Sequence, residues 1–418
     1  MLHAPREGDR IISRFHLRGW SYICLALGIL GGALTIRFTI LTWDQPWPDP
    51  ILTIDGRSYL KDALDATWGT IFNLNELYHS PGYQLYLRVL FAALGSIDAV
   101  IAASKLLSLL MFLASAWLLY RLSLRWFGAE VAYFAVAIFL LSESWRYYAN
   151  MIQYEVLTGF LMLSYIALIV RADSAHVGRL TWLHDLGAGC ILAFISLIQM
   201  RYLALLLIPL LYPVLTYGRS ISLKAIRHRA LIMVTTLTLL AAWSFAQSYI
   251  QGRTVVMMDG SQFRFHVANN PNAVGFAFPY PDIVEPSGWQ FILTMPGQWL
   301  WLVGQRALYL LGIKHDVWAL PPEEFASGRI GTYSVFDLVA MIVFAAGLLL
   351  AEYRCRRGEL SDSYRMATLL VACVMLPPLL IFGSKRFIVP IVPFIAMFQS
   401  YAIVKIAQSL MGDEQLAT

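Results

Sequence analysis

Apolar residues in this chain come in long runs separated by short polar stretches. The runs are Tyr22–Leu41, Ala99–Tyr120, Ala129–Ser144, Met151–Val170, Leu186–Gln199, Tyr202–Tyr217, Ala230–Tyr249, Tyr333–Ala351, Met366–Ser384 and Phe387–Ile406. A helix that crosses the hydrocarbon of a bilayer needs about 20 predominantly apolar residues. The pattern therefore predicts an all-α integral membrane protein, a polytopic bundle of about ten transmembrane helices. It reads as one domain over residues 1–410 with a short C-terminal tail at 411–418.

The polar stretches set a direction, because Lys and Arg concentrate in cytoplasmic loops. Arg6, Arg10, Arg14 and Arg18 precede the first run. No small-residue cleavage site follows it, and Arg37 and Trp43 interrupt instead, so it reads as an uncleaved helix with its N-terminus inside. Every second connection is then basic. These hold Arg121 and Arg125; Arg171 and Arg179; Arg219, Lys224, Arg227 and Arg229; Arg354, Arg356, Arg357 and Arg365; and finally Lys405. Both termini are thus expected in the cytoplasm, and two long outward loops remain, 42–98 and 250–332. Loops this long inside a compact protein are usually functional. Ser287–Ile313 carries Pro296, Gln298, Gln305 and Arg306 among apolar residues and reads as an interfacial helix rather than a span. Trp43, Trp47, Trp289, Trp299 and Trp301 suit anchoring at the outward interface.

Composition agrees: 58% of residues are hydrophobic and 14% charged, against about 45–50% and about 25% in soluble domains. This excludes a disordered chain, a secreted disulfide scaffold and an ordinary cytosolic enzyme. The net charge of +5 belongs to the inward loops and implies no nucleic-acid partner. The four cysteines form no CxxC or Cys/His spacing. Walker A and HExxH patterns are absent, so nucleotide hydrolysis and zinc proteolysis lack support.

The first outward loop is richest in chemistry. Asp55 is followed by Tyr59, Lys61, Asp62 and Asp65, then by Glu76, His79, Pro81, Gly82 and Tyr83. A carboxylate held partly out of water beside a membrane surface can serve as a general base. The same residues also suit an ordinary solvated loop.

The pattern Asp55-Gly56-x-x-Tyr59, followed by His79-Ser80-Pro81-Gly82-Tyr83 entering the second span, resembles the GT-C superfamily. These are integral membrane glycosyltransferases that use polyprenyl-phosphate-linked sugars. The likeness is to the RgtA/B/C/D-like branch, related to dolichyl-phosphate-mannose protein mannosyltransferases. Lys105–Gly128, Gln153-Tyr154-Glu155, Gln199-Met200-Arg201-Tyr202, and Lys385-Arg386-Phe387 with Pro390 and Pro393 are similar to further family segments, in the family's order. The sequence departs from the pattern in two places. Gly56 follows Asp55 where many members have a tandem Asp-Glu, and Ser80 stands within the usual His-Pro-Pro.

The resemblance implies a GT-C-type helical bundle with short interfacial helices on the outward face. It implies transfer of a sugar from a polyprenyl-phosphate donor in the bilayer to a glycan, glycolipid or protein acceptor, at the outer face of a plasma (inner) membrane. A polyprenyl phosphate is a good leaving group, so one base must deprotonate the acceptor and cations must stabilise the departing phosphate. Asp55 is the expected base, with inversion at the anomeric carbon, and Arg201, Arg386 and Lys385 are the expected phosphate ligands. For all three cations, snorkelling at helix ends is the alternative. Tyr59, His79, Glu155 and His266 complete the candidate site, with Glu155 holding acceptor or metal, or pairing with Arg146 or Arg201. Some family members bind a divalent cation near the lipid phosphate. His79 and His266, two of three outward histidines with His315, carry that expectation against the alternative of hydrogen-bonded loop histidines, and no metal ligand set or other cofactor is assigned. Asn269 and Asn270 either contact sugar or form a turn, the turn being preferred. Lys105 either snorkels or pairs with Asp98. A transporter or lipid flippase, which calls for mid-membrane charges and repeated halves, and a polysaccharide ligase or polymerase are the competing readings.

Overall fold

The computed structural model describes residues 7–41, 54–64, 81–174, 181–217, 223–255, 261–275, 283–315 and 333–410. Among these residues the architecture is helical, with one isolated antiparallel bridge between Lys314 and Tyr333. The helices are α1 (Glu7–Leu41), α2 (Ile54–Ala63), α3 (Pro81–Leu94), α4 (Ile97–Phe127), α5 (Ala129–Leu141), α6 (Glu143–Ala149), α7 (Glu155–Ser174) and α8 (Thr181–Ile198). They continue with α9 (Leu207–Tyr217), α10 (Leu223–Gln251), α11 (Ser261–Ala268), α12 (Gly288–Thr294), α13 (Pro296–Leu310), α14 (Val335–Arg356), α15 (Arg365–Leu380) and α16 (Val392–Leu410). The 3-10 segments Met200–Leu206 and Lys385–Ile391 lead directly into α9 and α16.

Each of the ten apolar runs overlaps one of these helices. Five of them, including α4, α10 and α14, are both long and apolar enough to cross a bilayer, and others are shorter apolar helices. Isoleucine, leucine and aromatic side chains remain exposed on α1, α4, α10 and α14, including Ile29, Trp117, Phe245 and Leu349. Long apolar flanks on so many helices suit lipid, not water. This is an all-α membrane protein.

The main core lies where α4, α5, α7, α15 and α16 meet, around Phe112, Phe139, Trp145, Tyr165, Phe394 and Phe398. Trp145 does more than fill space. Its indole Nε1 donates to the Val389 carbonyl at 2.5 Å, tying α6 to the 3-10 turn before α16. Gly159 of α7 makes this approach feasible, since a Cβ there would run into the Trp145 ring and the Pro390 carbonyl. A second core seats α2 against α3, α7 and the end of α8, through Tyr59, Leu60, Tyr83, Leu87, Tyr154 and Ile198.

Two sequence expectations change. The run beginning at Met151 is not helical until Glu155. Asn150 turns the chain instead: its Nδ2 donates to the Arg146 carbonyl at 2.8 Å, and its Oδ1 accepts from Thr39 of α1 at 2.6 Å. Residues 150–154 are therefore free to present side chains toward the end of the bundle. The expected interfacial helix over Ser287–Ile313 is two helices, broken at Met295 because Pro296 can open a helix but not continue one. Trp289, Leu293, Leu300 and Trp301 of this pair are exposed, as an interfacial position requires, but Arg306 is fully buried.

Candidate active site

Three segments far apart in sequence meet at one end of the bundle: Gln153–Glu155, the 3-10 turn at Met200, and the 3-10 turn at Lys385. Glu155 is the first residue of α7, where a carboxylate also faces the positive end of the helix dipole. It is wholly buried and ion-paired with Arg386, which is 5% exposed. Arg386 Nη2 also donates to Gln153 Oε1 at 2.5 Å, and its Cζ lies 5.2 Å from the Tyr154 ring centroid. The partner of Glu155 is thus Arg386, not the expected Arg146 or Arg201. Glu155 Oε2 is buried and has no hydrogen-bond partner.

Arg201 sits beside this pair in a different setting. Its Cζ lies 3.9 Å from the Phe387 ring centroid, 4.9 Å from Tyr202 and 6.0 Å from Tyr154. Nη2 donates to the Tyr202 hydroxyl at 3.0 Å and to the Tyr154 hydroxyl at 3.4 Å. Among the described residues no carboxylate pairs with it, and its buried Nε has no partner. Aromatic faces attract a cation but do not cancel its charge. Among the described residues Arg201 therefore has aromatic faces and hydroxyls around it but no carboxylate, which suits its guanidinium to an anion.

A tyrosine chain links this cluster to the first outward loop. Tyr59 of α2 meets Tyr83 of α3 edge-on at 5.2 Å and Tyr154 at 6.4 Å, and Tyr83 lies 6.3 Å from Tyr154. Tyr59 is buried, so it acts as a wall. Asp55 occupies the first turn of α2, one helical turn before Tyr59; its side chain lies outside the described residues. His79, Trp43 and Trp47 also lie outside them.

The remaining candidates lie apart from the cluster or are otherwise engaged. Lys385 Nζ bonds Asp337 of α14 at 2.8 Å, so its charge already has a partner. His266 Nδ1 lies 2.9 Å from Ser287 Oγ, which is 3.0 Å from Glu285 Oε1. A carboxylate only accepts, so Ser287 donates to Glu285 and His266 Nδ1 carries the proton toward Ser287. His266 thus holds α11 to the start of α12. Asn269 and Asn270 are both buried and close turns, as preferred from sequence: Asn269 Nδ2 donates to the Phe265 and Leu380 carbonyls, and Asn270 Nδ2 to the Val267 carbonyl. Lys105 is only 1% exposed, which excludes snorkelling. Among the described residues no group of three or more His, Cys, Asp or Glu side chains is gathered.

Sequence reasoning quoted Phe387, Tyr202 and Gln153 within family-like segments but gave them no role in the site. A signal for the first two was present: Arg201 and Arg386 are each followed by an aromatic residue at the opening of a 3-10 turn.

The fold has solved counterparts. ArnT from Cupriavidus metallidurans in the apo state superposes with a TM-score of 0.57 at 15% identity, covering 96% of this chain and 62% of that one. The same protein bound to undecaprenyl phosphate gives 0.56 at 14%, covering 93% and 60%. The apo Archaeoglobus fulgidus oligosaccharyltransferase gives 0.57 at 12%, covering 94% and 52%. This chain therefore spans about three fifths of the length of the first protein and about half of the second. These are GT-C folds, and the chain shares that fold. No protein-family model and no curated protein sequence matches it.

Proposed function

We propose that this chain is an integral-membrane glycosyltransferase that moves a sugar from a polyprenyl-phosphate donor to an acceptor hydroxyl, with inversion. One observation carries the reading: Arg201, boxed by Phe387, Tyr202 and Tyr154 with no carboxylate partner among the described residues, stands beside the Glu155–Arg386 pair at the end of the bundle to which α2 brings Asp55. The shared fold supports it, since a solved counterpart carries undecaprenyl phosphate.

In this mechanism the donor phosphate lies against the Arg201 guanidinium, with Arg386 held by Glu155 behind it. The Asp55 carboxylate takes the proton from the acceptor hydroxyl. That oxygen forms a bond to the anomeric carbon from the face opposite the phosphate. The carbon–oxygen bond to phosphate breaks, and polyprenyl phosphate leaves with the electron pair. The arginines stabilise the charge growing on that leaving group, where fixed donors in a water-poor site are most effective. Lys385 joins the phosphate site only by exchanging Asp337 for it. The acceptor is a glycan, a glycolipid or a protein, with His79 and His266 as candidate residues for holding it. The active site faces outward from the inner membrane, with both termini cytoplasmic.

The test is release of polyprenyl phosphate by the purified chain in lipid, offered a panel of polyprenyl-phosphate sugars and acceptors. Loss of a general base typically costs about 10²–10⁴-fold in rate, so Asp55→Asn is expected to fall by that much while remaining folded. Equal release by Asp55→Asn and wild type would remove Asp55 from the chemistry.

A further inference from the structure

Arg306 of α13 is the most deeply buried arginine among the described residues. It is 0% exposed and forms no ion pair among the described residues. Its guanidinium is committed to oxygens instead. Nη1 donates to the Leu379 carbonyl at 3.0 Å, and Nη2 donates to the Ala268 carbonyl at 2.6 Å and to Asn269 Oδ1 at 3.2 Å. Leu379 lies in the last turn of α15, and Ala268 is the last residue of α11. The final carbonyls of a helix lack intrahelical partners and carry the negative end of its dipole. One arginine thus neutralises two helix C-termini at once, while Asn269 takes the neighbouring Leu380 carbonyl at 3.1 Å. Burial lowers the guanidinium to about 10, still far above neutrality, so it keeps its charge.

This clamp sits where α15 leads into the candidate site. Residues 381–384 run straight into the 3-10 turn that carries Arg386 and Phe387. Gly383 lies so close to the Arg306 backbone that a Cβ would collide with it, and its N–H donates to the Gly275 carbonyl at 2.9 Å. Phe382 and Phe387 pack on Val267 and Ala268 at the end of α11. The segment from α15 to Phe387 is thus fixed by α11 and α13, with Arg306 at the junction.

We propose that Arg306 is a positioning residue: by joining the C-termini of α11 and α15 it sets the turn that places Arg386 against Glu155 and Phe387 against Arg201. Its consequence for the donor rests on the phosphate-site reading above; its consequence for the turn does not. The interfacial pair α12–α13 is thereby coupled mechanically to the anion site.

The experiment compares full-length wild type, Arg306→Met, Arg306→Lys and Arg386→Gln in lipid nanodiscs. The first readout is hydrogen exchange over residues 381–391. Arg306→Met is expected to exchange faster there with α4 and α5 unchanged, and Arg306→Lys, which keeps charge and donors, to lie near wild type. Unchanged exchange over 381–391 in Arg306→Met overturns the clamp whatever the ligand results. If Arg306→Met loosens the whole chain, Arg306→Lys decides: a local effect in 381–391 supports the proposal, and a uniform one overturns it. The second readout is the affinity for undecaprenyl phosphate. A turn correctly placed about a tenth of the time weakens binding about tenfold, which is expected for Arg306→Met with most of it recovered in Arg306→Lys. Wild-type affinity in Arg306→Met, alongside loss of binding in Arg386→Gln, overturns the positioning role. Absence of binding by wild type counts against the donor reading, and the exchange data then decide the clamp alone.

Discussion

The two ends of the bundle each hold a glutamate among arginines, and they use it differently. At the basic end, Glu352 of α14 accepts from Arg356 at 2.9 Å, from Arg365 at 2.9 and 3.1 Å and from Tyr364 at 2.9 Å. Arg365 also bonds Asp362 at 3.0 Å and the Leu215 carbonyl at 2.9 Å. The cluster is open to solvent, with Glu352 36% and Arg356 76% exposed. It is redundant, it joins α9, α14 and α15, and water replaces any partner lost. At the other end Glu155 and Arg386 are 0% and 5% exposed. Removing two charges from water is costly, and a buried pair is weak evidence for stability. The open network is therefore a fastener, whereas the buried pair asks for another reason to exist. A preorganised arginine beside Arg201 supplies one.

The largest expected effect comes from breaking the buried pair. Arg386→Gln leaves the Glu155 charge buried without its ion-pair partner, a loss of about 3–5 kcal/mol. It is expected to lower the thermal midpoint sharply, and the double variant Glu155→Gln, Arg386→Gln to recover part of it, with a coupling of about 0.5–3 kcal/mol. No recovery in the double variant would show that the two side chains act separately. Arg201→Met sharpens the contrast, because among the described residues no carboxylate is ion-paired with Arg201. Its main loss is expected in donor affinity, by about 10- to 100-fold for a charge-assisted contact of about 1.5–3 kcal/mol, with less destabilisation than Arg386→Gln. A variant that unfolds as readily as Arg386→Gln but binds undecaprenyl phosphate normally would make Arg201 a structural residue. The smallest effect is assigned to Glu352→Gln, within about 1 kcal/mol and weakened by salt, with sugar transfer unchanged. A loss of transfer in Glu352→Gln would erase the distinction between the ends.

What was legible differs by kind of feature. The ten runs were legible because a span must be apolar along its whole length, a local property that needs no partner. The breaks were less so: the irregular stretch before Glu155 depends on Asn150 being met by Thr39, 111 residues away. The acidic and basic candidates Glu155, Arg201 and Arg386 could be found because ionisable residues at the edges of apolar runs are conspicuous. Their pairing could not, since Glu155 and Arg386 are 231 residues apart and several arginines were equally plausible by spacing. Lys385 looked like a companion of Arg386 by adjacency, yet consecutive residues in a helical turn point different ways, and its ammonium meets Asp337. Arg306 was read as part of an interfacial surface, and nothing local distinguishes that from a clamp on two helix ends.

The sequence by itself determined that this is a helical membrane protein, roughly where its long apolar helices run, and which charged residues stand near their ends, because hydrophobic length and charge are written residue by residue. The tertiary structure alone decided which carboxylate holds which arginine, which arginine lies in an aromatic box with no carboxylate partner among the described residues, and which is spent on helix termini. Those outcomes depend on distances between segments tens to hundreds of residues apart, and on burial, which turns an ordinary surface charge into one that must find a partner.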